Sequence, residues 1–180
     1  KTGTTDLAGA CFVGTIEKDG QRIITVVLNA IDHDDIENES ARFDETSKLM
    51  DYTFDHWKQE TLLTDNDRIP DLASVDVPQG KKQTLPVAVQ DEIKLWLPSD
   101  KTTEDVSYQS SLNNNEVQAP VKAGTDIGNV QAQVEDDDLG YLNNEEAKKS
   151  SNSAIITTEG TEKANIFTTT WRNIKNFFNN

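Results

Sequence analysis

The apolar positions fall into segments with different periods. Ala10–Glu17 and Arg22–Asn29 are β-branched apolar runs separated by Lys18-Asp19-Gly20-Gln21. Two such runs around a Gly-bearing turn predict an antiparallel hairpin. Ile23-Ile24-Thr25-Val26-Val27-Leu28 is nearly continuous, which predicts a strand buried on both faces. Ile31–Ser40 is acidic and without period. Over Ala41–Trp57, Phe43, Met50, Phe54 and Trp57 recur at helical spacing with Leu49 beside them. That spacing predicts a helix with one apolar face. Residues 1–58 therefore read as compact α+β. Their elements are too few to cover both faces of a sheet, so we expect this segment not to fold alone.

The period then shortens. Residues 59–71 are polar with Pro70 near their end and read as a linker. Short alternating runs follow at Ala73–Val77, Thr84–Val89, Ile93–Leu97, Asp105–Gln109, Val117–Val121, Val130–Val134 and Leu139–Leu142. Gly80, Pro98, Asn113-Asn114-Asn115, Gly124 and Gly128 supply turns between them. Many short strands at regular turn spacing predict a small all-β sandwich over 72–142. Residues 143–162 are mostly Asn, Ser, Thr, Glu and Lys and read as a flexible tether.

The pattern changes again at the end. At about 100° per residue, Ile166, Phe167, Trp171, Ile174, Phe177 and Phe178 share an arc of about 140°, and Arg172 and Lys175 point away from it. From Lys163 onward there are three basic residues and no acidic ones, whereas the preceding 162 residues hold 14 basic against 32 acidic, a charge of −18. An aromatic face opposite a cationic one suits a helix lying in the plane of an anionic membrane surface. We expect residues 163–180 to form such an amphipathic helix, too short to span a bilayer. A helix docked on its own domain gives the same wheel.

Composition narrows the function classes. The 180 residues carry a formal charge of −15, and only 34% are hydrophobic. This acidity argues against nucleic acid, since phosphate binding needs clustered Lys and Arg. The single cysteine, Cys11, excludes an internal disulfide or a multi-cysteine zinc site. The acidic runs Asp32–Glu39 and Glu135–Asp138 lack the Gly-centred spacing of a calcium loop and read as solvated charge. No metal and no cofactor are expected.

Candidate chemistry opens the chain. Lys1-Thr2-Gly3 precedes a strand. On a sheet edge such a tripeptide offers an ammonium, a hydroxyl for a substrate carboxylate, and a glycine that lets a substrate backbone approach. The following Thr4 N–H can serve an oxyanion. The run Lys1-Thr2-Gly3-Thr4-Thr5-Asp6-Leu7-Ala8-Gly9-Ala10-Cys11-Phe12, the hairpin, Ala41-Arg42-Phe43 and Ser47-Lys48-Leu49-Met50 closely resemble the D-alanyl-D-alanine carboxypeptidases. These are low-molecular-mass penicillin-binding proteins of the serine type, and the likeness is greatest to those of streptococci and lactic-acid bacteria. Ala119-Pro120-Val121-Lys122-Ala123-Gly124 resembles their β-rich second domain. The resemblance is specific over 1–58 and looser over 72–142.

The resemblance implies a C-terminal fragment of a penicillin-binding transpeptidase-like domain, then the sandwich and the helix. It also implies an enzyme that removes the terminal D-Ala from peptidoglycan stem peptides through an acyl-enzyme and is acylated by β-lactams. By this resemblance Lys1, Thr2 and Gly3 are catalytic, Lys1 supporting the substrate carboxylate and the proton relay. Thr2, Thr4 and Arg42 bind the substrate, with Arg42 recognising the free carboxylate of the terminal D-Ala. From the residues alone, Arg42 reads equally as an exposed first-turn residue or a partner of Asp44 or Glu45. The resemblance further implies an extracytoplasmic protein, peripheral on the outer face of the membrane.

The family's nucleophile lies in Ser-x-x-Lys, and no Ser of this chain has Lys three residues on. Ser111-Leu112-Asn113 and Ser150-Ser151-Asn152 fit the family's Ser-x-Asn but follow Lys-Thr-Gly instead of preceding it, in what reads as loop or linker. We therefore expect a C-terminal portion of a longer protein, inactive by itself. The alternative is a non-catalytic binding or spacer module of the cell envelope.

Overall fold

The computed structural model describes residues 1–31, 40–114, 116–134 and 150–165. It is mostly β with one long helix and divides into two compact units. The first comprises Lys1–Gln59 with Trp96–Lys101, the second Glu60–Leu95 with Thr102–Asn180.

In the first unit, β1 (Thr2–Thr5), β2 (Gly9–Lys18) and β3 (Gln21–Ala30) form an antiparallel sheet in that order. Asp19 and Gly20 close the β2–β3 hairpin with φ of 53° and 78°, and Lys18 pairs with Gln21. Two consecutive residues at positive φ twist in the same sense as the strands, which is why Asp-Gly is favoured there. Helix α1 (Ala41–His56) lies against β2 and β3. A Cβ on Gly14 would meet Phe12 Cε1 at 2.8 Å and Met50 Cε at 3.2 Å. Glycine at that position lets the helix come close.

Two expectations for this unit are corrected. Strand β3 is not buried on both faces. Ile23, Thr25 and Val27 are buried under the helix, but Ile24, Val26 and Leu28 are 66%, 58% and 69% exposed. Unbroken hydrophobicity reports what a face can bury, and nothing among the described residues covers this one. The inward stripe of α1 also differs from the expected one. Ala41, Arg42 and Thr46 are buried, whereas Phe43 and Leu49 are about half exposed. Phe43 instead meets Phe12 edge to face, with ring centroids 5.0 Å apart.

In the second unit, β5 (Ser74–Asp76), β6 (Thr84–Val89), β8 (Val106–Leu112), β9 (Asp126–Val134) and β10 (Asn152–Thr157) form an antiparallel sheet in the order β5-β6-β10-β9-β8. Its core includes Leu85, Val87, Val89, Val130 and Ile155, all nearly inaccessible. A two-stranded ladder joins β4 (Trp57–Leu63) to β7 (Ile93–Pro98).

The segment read as a linker begins inside β4, and Leu63 and Ile69 are buried. The segment read as a tether contains β10, a central strand paired with both β6 and β9. Its inward positions Ser153, Ile155 and Thr157 include two polar residues that are at most 4% exposed. Both satisfy neighbours: Ser153 Oγ accepts from the Asp91 N–H, and Thr157 Oγ1 donates to the Lys122 carbonyl. Buried hydroxyls with partners lower the apparent hydrophobicity of a strand without preventing its burial. Val117–Val121 forms no strand. It is a loop containing a cis Ala119–Pro120 bond and held by a bridge between Val121 and Thr161. The expected strand Leu139–Leu142, tether residues 143–149 and most of the predicted amphipathic helix lie outside the described residues.

Because β10 is central, Ile155→Ala should lower stability by about 2–5 kcal/mol. A version ending at residue 149 should lose the cooperative unfolding of this unit in urea. Retention of that transition would restore the tether reading.

Candidate functional site

Strand β1 occupies an outer edge of its sheet, and Lys1 to Thr5 are all exposed. Its register is Thr2 with Phe12, Gly3 with Cys11 and Thr4 with Ala10. The Lys1 amino group donates to the Val13 carbonyl at 2.8 Å, and the Val13 N–H donates to the Lys1 carbonyl at 2.9 Å. In an antiparallel ladder, residues that exchange both bonds alternate with residues that exchange none. Lys1 and Gly3 therefore bond inward to β2, and Thr2 and Thr4 turn their N–H and C=O groups to the open edge.

The side chains follow the opposite logic. Phe12 pairs with Val27 and with Thr2, so Thr2 and Thr4 are on the helix-facing side of the sheet. Lys1 and Gly3 are on the other side, which they share with Val13 and Val26. A Cβ on Gly3 would meet no atom within 4 Å, and its φ is not positive. Neither sterics nor backbone conformation within the fold requires glycine there.

Arg42, in the first turn of α1, is 4% exposed. Its Nη1 donates to Thr4 Oγ1 at 3.1 Å, to the Gly3 carbonyl at 3.3 Å and to the Cys11 carbonyl at 3.4 Å. The Cys11 carbonyl lies where the β2–β3 register shifts, with Leu28 and Asn29 both opposite Cys11. A bulge of this kind disrupts the ladder locally. Arg42 therefore crosses from the helix to two strands at once. Thr46 Oγ1 donates to the Arg42 carbonyl at 2.7 Å, one turn along. The first-turn arginine is thus neither exposed nor free to serve only Asp44 or Glu45.

The structure brings Thr4, Gly3 and Arg42 together, and Lys1 and Thr2 lie on the same strand. Of the two Ser-x-Asn matches, Ser111 and Leu112 are in β8 with Asn113 just past its end, and Ser150 and Ser151 precede Asn152 at the start of β10. Ser111 is in β8, with Oγ donating to the Asn129 carbonyl, and Asn152 begins β10. Cys11, directly across from Gly3, donates its Sγ–H to the Ala8 carbonyl at 3.1 Å. In the second unit a cleft of about 460 Å³ is lined by residues including Asn113, Pro120, Lys122 and Asp126, with no Ser, Cys or His among its described lining. Among the described residues, no three His, Cys, Asp or Glu side chains are grouped to hold a metal. No described helix is long and apolar enough to cross a membrane. Ile166, Phe167, Trp171, Ile174, Phe177 and Phe178 lie outside the described residues.

The open space at Gly3 makes a stability prediction. Gly3→Ala should change unfolding free energy by no more than about 0.5 kcal/mol. A loss well above that in thermal melts would show that the fold itself needs this glycine.

Comparison with known proteins places the chain. Residues 57–163 match the family model for the penicillin-binding protein 5 C-terminal domain. Among solved structures, a peptidoglycan synthesis regulatory factor (PBP3) from Streptococcus pneumoniae is 31% identical. It superposes with a TM-score of 0.66 over 90% of this chain and 42% of its own. Penicillin-binding protein 5 from Haemophilus influenzae shares the fold at 20% identity and a TM-score of 0.59, over 91% of this chain and 42% of its own. The D-alanyl-D-alanine carboxypeptidase DacD from Francisella tularensis does so at 24% and 0.56, over 91% and 36%. The chain therefore spans 36 to 42% of the length of these structures. With more than half its residues inside the matched domain and both units represented in these relatives, the chain belongs to the family of proteins that carry the penicillin-binding protein 5 C-terminal domain.

Proposed function

We propose that this chain is the C-terminal portion of a serine-type D-Ala-D-Ala carboxypeptidase acting on peptidoglycan stem peptides, and that β1 is one wall of its substrate cleft. The observation that carries the reading is an exposed edge strand bearing Lys1-Thr2-Gly3-Thr4, with Gly3 in open space and Thr4 tied to Arg42. An extended peptide laid along that edge meets the outward backbone groups of Thr2 and Thr4 as a further strand would.

The reaction divides between two walls. A serine carried on the opposite wall attacks the penultimate D-Ala carbonyl, giving a tetrahedral oxyanion. The Thr4 N–H, directed to the open edge, donates one of the two bonds that stabilise it. Collapse breaks the C–N bond to the terminal D-Ala, which leaves with a proton, and water then hydrolyses the ester. The Lys1 ammonium supplies positive potential to the substrate carboxylate and the proton relay. The hydroxyls of Thr2 and Thr4 bind the same carboxylate. β-Lactams enter by the same acylation and stay attached.

The apolar face formed by Val13, Ile24, Val26 and Leu28 supports this division. Exposed apolar side chains grouped on one sheet face are what the remainder of a larger domain would cover. In this reading residues 163–180 lie on the anionic outer leaflet, and the protein works on the outer face of the cell membrane. The support for that part is the aromatic and cationic faces of the sequence alone.

Two measurements test the proposal. A fluorescent penicillin should label the complete protein covalently, while residues 1–180 alone should take up none. An unlabelled complete protein removes the enzymatic reading and favours a non-catalytic envelope module. Separately, removal of residues 163–180 should abolish sedimentation with anionic liposomes; equal partitioning without them excludes the tail as the membrane contact.

A further inference from the structure

We propose that the cleft formed by the β8–β9 connection in the second unit is a glycan site that takes a short oligosaccharide of N-acetylated hexoses. The choice of an N-acetylated sugar rests on the proposed action on peptidoglycan, while the cleft stands on its own geometry. β8 and β9 are antiparallel neighbours, and about two residues suffice to join such a pair. Residues 113–125 join them instead, and those described form no helix or strand. An irregular connection of that length is uncommon in a compact domain and is usually functional.

This loop is pinned along its length. The Asn113 N–H donates to the Ile127 carbonyl, the Val117 N–H to the Asp76 carbonyl and the Gly124 N–H to the Thr157 carbonyl. Val121 and Thr161 exchange both backbone bonds at 2.9 Å. The Lys122 carbonyl accepts from Thr125 Oγ1 and from Thr157 Oγ1, each at 2.8 Å. A preformed cleft gives up little ordering entropy when a ligand enters. Its volume of about 460 Å³ is in the range of small-ligand sites.

The lining selects the ligand. Val117 and Pro120 contribute apolar surface, which suits the C–H face of a sugar ring and an acetyl methyl. Asn113 and Gln118 line the same cleft, and their side chains make no hydrogen bond among the described residues. A side-chain amide both donates and accepts, as hydroxyl and acetamido groups do. Lys122 shares the lining with Glu116 and Asp126, so no net positive field marks an anion site, and carboxylates accept readily from hydroxyls. A neutral ligand rich in donors and acceptors meets each part of this surface.

Equilibrium dialysis of the complete protein against the radiolabelled β-1,4-linked trisaccharide of N-acetylglucosamine tests the site. Binding should saturate, and Gln118→Ala and Lys122→Met should each weaken it roughly three- to tenfold, the loss of one hydrogen bond. Asn113→Ala replaces either variant if its urea midpoint falls. Absence of saturable binding overturns the proposal, and so does binding that the variants leave intact. Equal affinity for maltotriose, which lacks acetamido groups, overturns it as well. Displacement by an equimolar peptide ending in D-Ala-D-Ala would make the cleft a peptide site and overturn the glycan assignment. Penicillin labelling of the same protein is read separately. Labelled protein that ignores the trisaccharide loses only the glycan site. Unlabelled protein that binds it through Gln118 and Lys122 loses only the carboxypeptidase reading.

Discussion

One buried guanidinium fixes the edge on which the chain's chemistry is carried. A charged side chain withdrawn from water is costly unless its donors are met. Arg42 Nη1 meets the Gly3 and Cys11 carbonyls and the Thr4 hydroxyl, drawing helix α1, strand β1 and strand β2 to one point. Edge strands are held on one side only and are prone to fray. The arginine supplies a second hold from beneath, at the residues that the proposed reaction uses. Thr46, bonded back to the Arg42 carbonyl, is also buried, so the turn that presents the guanidinium is packed as well.

The second constraint is an uncovered surface. Among the described residues, the first unit buries only the helix side of its sheet, and Ile24, Val26 and Leu28 are largely exposed. Lys1 and Gly3 project from that same open side, while Thr2 and Thr4 lie on the helix side. In the proposed enzyme the segment that covers the apolar face and the segment that brings the nucleophile belong to one further part of the protein. Folding and catalysis would then be completed together, with Gly3 left small because a substrate, and not a side chain of this unit, approaches it.

Much of this arrangement is legible in the sequence. Lys18-Asp19-Gly20-Gln21 marks the hairpin, and β6 runs from Thr84 to Val89 as its alternation predicts. Elements whose apolar count is low are not legible in that way. β10 escapes because Ser153 and Thr157 fill inward positions with satisfied hydroxyls, and β4 because Gln59 and Glu60 resemble linker. Val117–Val121 misleads in the other direction: its alternation is good, but Pro120 has no N–H for a ladder. Around the candidate site, the motif Lys1 to Thr4 can be read directly, and Arg42 can be singled out by resemblance. Its burial cannot, since arginine is ordinarily a surface residue, and only the tertiary contacts bring it against Thr4.

The account depends on β1 being a ligand-facing wall held in place by Arg42. The most direct test is a crystal structure of the complete protein acylated by a penicillin. The account predicts the ligand's carboxylate within hydrogen-bonding distance of the Thr2 and Thr4 hydroxyls, its acyl oxygen near the Thr4 N–H, and Arg42 Nη1 still on Thr4 Oγ1. A ligand bound away from the β1 edge would contradict it.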